Sequence, residues 1–90
     1  MNEIHLLSQD ERELFFRADI DIKNMLSAGT REGLLIQALK NLGKDHIDKK
    51  MHMQIAKLLK DSTEEEIRKN IKFAPAWIRA LIFEILELKP

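Results

Sequence analysis

The chain has 90 residues and a mass of 10.5 kDa, with 44% hydrophobic and 33% charged side chains and 15 basic residues balancing 15 acidic ones. That arithmetic describes one small soluble domain, expected over residues 1–90. The absence of Cys excludes a disulfide framework, a thiolate metal site and a thiol nucleophile, and it points to a cytoplasmic setting. The first ten residues have no basic flank and no long apolar run, so they do not read as a secretory leader. The longest uncharged stretches, 24–30 and 33–39, are too short to span a bilayer, and no membrane partner is expected.

Val and Tyr are also absent and Thr occurs twice, against 13 Leu, 11 Ile and 10 Lys. Strands lack their usual builders in such a vocabulary. The expected fold is all-α: a single bundle of four to five short helices with a hydrophobic C-terminal helix at its centre.

Ser8 and Glu11 stand in the S-x-x-E spacing of a capping box, so a helix should begin near Gln9. At about 100° per residue, Leu14, Phe15, Ala18, Ile22, Met25 and Leu26 share one arc, which extends this helix to residue 28. Phe16 and Ile20 lie opposite that arc. Gly29 then ends the helix and Thr30 caps a second one over 31–42, where Leu34, Leu35, Ala38, Leu39 and Leu42 share a face and Gly43 stops the run.

A third helix should start near Asp45, with Ile47, Met51, Ile55, Leu58 and Leu59 at strongly helical spacing. Ser62 and Glu65 form a second S-x-x-E pair, and the segment they open carries Glu64, Glu65 and Glu66 first and Arg68, Lys69 and Lys72 last, which complements a helix dipole. Pro75 disfavours helix at Ala74 and suits the first turn of a new helix, so the chain should break near Phe73 and restart over 75–88. That last helix carries Trp77, Ile78, Leu81, Ile82, Phe83, Ile85, Leu86 and Leu88. Apolar side chains cover more than half of its circumference, more than one packing face needs.

The zero net charge hides local excesses, with −4 over residues 1–21 and +5 over 23–60. Lys49, Lys50, Lys57 and Lys60 line the face of the third helix opposite its apolar arc, with His46 beside them. Such a stripe can contact phosphates, or it can be a solvated face attracted to the acidic first helix. It contains no Arg, the usual reader of base edges, so the most it suggests is non-specific contact with nucleic acid.

Three stretches have familiar shapes. Ile55, Ala56, Leu59, Ser62, Ile67 and Ile71 resemble the opening of regulatory helix-turn-helix motifs, although Lys60 and Asp61 stand where that motif wants Gly and an apolar residue. Thr63-Glu64-Glu65-Glu66-Ile67-Arg68-Lys69 is similar to a segment of Skp-type ubiquitin-ligase adaptors, flanked in the same order by Asp21-Ile22-Lys23 and Phe73-Ala74-Pro75. That resemblance implies protein binding. Asp19-Ile20-Asp21 resembles the start of an EF-hand loop, but the twelfth position is Thr30, not Glu, and the sixth is Asn24, not Gly.

Asp48 and His52, four apart on a helix, together with His5 and His46, are the candidates for a metal, and no third ligand has recognisable spacing. There is no Ser-His-Asp arrangement and no Gly-rich phosphate loop. No enzyme activity, metal or cofactor is therefore expected. What remains is apolar surplus at Phe16, Ile20, Trp77, Phe83 and Leu86, with Met53 set among lysines. These residues point to a small regulatory or adaptor module that binds a protein partner or a second copy of itself. Nucleic-acid binding through Lys49, Lys50, Lys57 and Lys60 is the alternative.

Overall fold

The structure is a computed structural model that describes residues 9–20 and 30–89. Among those residues it holds five α-helices and no strand: α1 (Gln9–Arg17), α2 (Arg31–Leu42), α3 (Lys49–Leu59), α4 (Glu64–Asn70) and α5 (Ala76–Ile85), with a 3-10 turn at Lys44–His46 before α3. The all-α bundle read from composition is the observed fold.

Helix α1 begins where the spacing places it, but it ends at Arg17 and does not continue unbroken to residue 28. Asp19 takes a left-handed backbone (φ 56°), and the Asp19 and Ile20 N–H groups donate to the carbonyls of Phe16 and Phe15. This is the Schellman closure, and Asp tolerates the left-handed residue it requires better than most side chains do. The Ala18 carbonyl, left over at the helix end, accepts a bond from the Asn41 side-chain amide at 3.1 Å. The Ser8–Glu11 box and the stretch after Ile20 that resembles an EF-hand loop fall largely outside the described residues, as do Ile22, Met25 and Leu26.

Helix α2 matches its sequence reading at both ends. The Gly33 N–H donates to Thr30 Oγ1 at 3.0 Å, and Gly43, at φ 86°, supplies the positive φ that a side chain would resist. Helix α3 starts at Lys49, four residues after the expected Asp45, because Asp48 is its cap: the Met51 N–H donates to Asp48 Oδ1 at 2.9 Å. Ile47 is thereby left extended, outside the helix, and half-buried.

The capping box of α4 is one residue later than expected. Thr63 Oγ1 accepts from the Glu66 N–H, and Glu66 Oε1 accepts from the Thr63 N–H. Three consecutive Glu residues allow either frame, but the Ser62 N–H is already used on the Leu59 carbonyl at the end of α3. Ile71 to Ala74 then turn, and Pro75 opens α5. This last helix closes with a second Schellman arrangement, in which Glu87 is left-handed and Leu88 N–H donates to the Phe83 carbonyl at 2.8 Å.

The core joins Leu14, Phe15 and Ala18 of α1 with Leu34, Leu35, Ala38 and Leu39 of α2, Met51, Ile55, Leu58 and Leu59 of α3, and Ile67, Ile71, Ile78 and Ile82 from the later elements. Helix α3 packs against α1, α2 and α5. The centre of the bundle is therefore α3, and the C-terminal helix flanks it, with only Ile78 and Ile82 fully inside. The physical reason is distribution: the apolar residues of α5 spread too far around its axis for one helix to cover, whereas those of α3 concentrate on one side.

Two polar residues sit in this core, Glu32 and Gln54, at 4% and 2% exposure. Among the described residues neither the Nε2 nor the Oε1 of Gln54 has a hydrogen-bond partner. A buried amide left unpaired costs about 1–3 kcal/mol. Replacing it by the unbranched, similarly sized Met removes the polar atoms and keeps the volume. Gln54→Met should therefore raise the unfolding free energy by about 1 kcal/mol, seen as a higher urea midpoint at unchanged slope.

Candidate interaction surface

Helices α1 and α3 run antiparallel, because Arg17 reaches Asp48 (3.7 Å) while Glu13, one turn earlier, receives Lys50 (2.8 Å). Phe16 follows Glu13 by one turn, and Met53 follows Lys50 by one turn. With the helices opposed in direction, the two apolar side chains straddle the Glu13–Lys50 ion pair. Both are outside the core, Phe16 at 83% and Met53 at 63% exposure.

All four lysines of the α3 stripe are exposed. On the helical wheel Met53 falls between Lys49 and Lys57, with Lys60 next to it. The stripe is not uniformly available, since Lys50 is held by Glu13 and Lys57 is also engaged by an interaction within the chain. Among the described residues Lys49 and Lys60 have no ion pair. The surface is thus an apolar pair in a basic frame, with the acidic first helix neutralising one edge.

The five apolar candidates do not converge. Ile20 and Leu86 are half-buried against the core. Phe83 is half-buried beneath Arg68, whose guanidinium carbon lies 5.1 Å from the ring centroid. Trp77 is on the other flank of α5, where it lines a cleft of about 300 Å³. Phe16 alone is fully presented.

Phe73, at 92% exposure, was hidden from sequence reasoning because it sits in a turn, where helical periodicity carries no signal. Lys72 Nζ lies 5.7 Å from its ring, and Phe73 borders a second cleft of about 250 Å³ beside Ile36, Lys40 and Asn70.

Asp48 serves α3 as cap and Arg17 as ion-pair partner, so its carboxylate is committed to the fold. Among the described residues no group of three or more His, Asp or Glu gathers as a metal site, and His5 lies outside them. No helix of the described residues is long and apolar enough to cross a membrane. Glu64, Glu65 and Glu66, at the start of the helix that a helix-turn-helix would use for reading, are all exposed.

Fold and surface together define a small all-α bundle with an apolar and basic helix face. The chain belongs to a family of unknown function, DUF6088, whose model matches residues 8–67 and so includes both helices of that face. No curated protein and no solved structure matches it.

Arg68 links three features: it covers Phe83, pairs with Glu64 at 3.6 Å and donates to the Lys89 carbonyl at 2.6 Å. Arg68→Met should lower stability by about 1–2 kcal/mol and speed amide exchange over residues 83–89, while Arg68→Lys recovers only part, lacking the planar fork.

Proposed function

We propose that this chain is a non-enzymatic protein-binding module, docking through the α1–α3 face onto a helix whose apolar side chains are ringed by acidic groups. The observation that carries the reading is the exposure of Phe16 and Met53 within a frame of lysines. Exposed apolar side chains set on ordered helices are natural anchors for a partner, and buried aromatics dominate interface energies. The surrounding lysines contribute orientation: they repel basic surfaces and steer acidic ones. A regulatory or adaptor role in the cytoplasm, with no reaction of its own, fits such a face.

Nucleic acid competes for the same lysines. Protein is favoured because Lys50 is already paired with Glu13, the stripe holds no Arg, and two apolar side chains, Phe16 and Met53, stand exposed on the same face.

The test is a methionine-methyl NMR titration with a helical peptide built from Leu and Glu, run beside a duplex oligonucleotide at low and high salt. The Met53 methyl should shift saturably with the peptide, and Phe16→Ser should weaken that response about tenfold. An oligonucleotide response that collapses with salt, with no peptide response, replaces this reading by the nucleic-acid one. A shift that depends on the concentration of the protein alone assigns the face to a second copy.

A further inference from the structure

The cleft beside Trp77 has a composition that the α1–α3 face does not explain. Its floor is one stripe of α5, where Trp77, Ala80, Leu81 and Glu84 follow each other at i, i+3, i+4 and i+7. The opposite wall comes from the approach to α3: Lys44 in the 3-10 turn, Ile47 just before the helix, and His52 in its first turns. Ile47 stands one residue ahead of the Asp48 cap and His52 four residues after it, the positions that pack together across a helix start. Thus the same local structure that begins α3 shapes this wall.

Lys44 and Glu84 border one cleft with opposite charges, yet they form no ion pair with each other, and among the described residues neither has another partner. Both are exposed, while Ile47, Trp77 and Leu81 between them are half-buried and apolar. A volume of about 300 Å³ suits a ligand at the small end of the usual range. Opposite charges held apart over an apolar floor match a molecule that carries both charges itself, together with an apolar group.

We propose that this cleft binds a free amino acid with an apolar side chain. Its carboxylate is received by Lys44 and its ammonium by Glu84, and the side chain lies on Trp77, Leu81 and Ile47. The His52 ring adds one polar contact at the wall. This site is separate from the α1–α3 face and does not depend on it.

Trp77 is the sole tryptophan of the chain, so its emission reports on the cleft directly. The probe is L-leucine, set against glycine, which lacks the side chain, and against 4-methylpentanoate and isoamylamine, which each keep one charge. L-leucine should change Trp77 emission saturably with a dissociation constant of about 1 mM, in keeping with so small a ligand. Each control should bind about tenfold more weakly or not at all. Lys44→Met and Glu84→Gln should each weaken L-leucine about tenfold with the helical circular dichroism unchanged, since both side chains are exposed.

No saturable change with L-leucine, an equal response to the singly charged analogues, or a response indifferent to both substitutions would overturn the proposal. An emission change on diluting the protein alone would overturn it too, by assigning the cleft to a second copy.

Discussion

Met51, Ile55, Leu58 and Leu59 form one continuous face on α3, and α1, α2 and α5 all pack against that helix. Each such side chain taken fully from water contributes about 1.5–3 kcal/mol, so this face concentrates a large share of the stabilisation that a domain of this size can muster. The other elements are placed by it. Helix α1 closes at the left-handed Asp19 once Ala18 has joined the core, and Asn41 caps the Ala18 carbonyl. Helix α5 lies on one flank, and the side chains it cannot bury become the lining of a cleft or the seat of Arg68.

A chain of this length buries a smaller fraction of its surface than a larger domain does. Among the described residues Phe16, Met53 and Phe73 are the exposed large apolar side chains. They are spread over a helix pair and a turn. The ion pairs across α1 and α3 are partly exposed and contribute little energy, about 0.2–1 kcal/mol each. Their larger effect is geometric: they fix which residues of the two helices stand side by side.

Helix type and location were legible wherever apolar side chains recur regularly, as in α2 and α3, and wherever a Gly or Pro punctuates the chain, as at Gly43 and Pro75. Boundaries set by side-chain bonding were less so. Asp45 and Asp48 are equally good caps on paper, as are Ser62 and Thr63, and only the packing of the preceding segment chooses between them. The early end of α1 rests on an Asp adopting a conformation that sequence usually reserves for Gly or Asn. The position of α3 at the centre was obscured because total hydrophobicity favours α5, whereas centrality depends on how tightly the apolar residues are focused. Gln54 and Glu32 could have been found, since each lies on its helix's apolar arc, but residue type argued against burial. Of the surface candidates, Phe16 and the lysines were readable as off-face residues. The cleft was not, because Lys44 and Glu84 are 40 positions apart and only the docking of α5 brings them to one cavity.

Charge in this molecule is divided between holding the fold together and facing outward. The acidic first segment and the basic middle segment largely cancel in the sum, and part of that cancellation is physical, since Glu13 meets Lys50, while Arg17 and Asp48 pair in the opposite sense. Lys49 and Lys60 stand outside those pairs, on the same helix face as Met53. A partner that offered only negative charge would gain little there, because exposed ion pairs are weak and salt screens them. A partner that offered only apolar surface would find two separate side chains and no means of choosing an orientation. In the docking we propose, affinity and direction therefore come from different groups on one partner, apolar anchors for Phe16 and Met53 and carboxylates for the lysines around them. An amphipathic acidic helix carries both at the spacing of a helix turn, which is also the spacing at which α1 and α3 display their own.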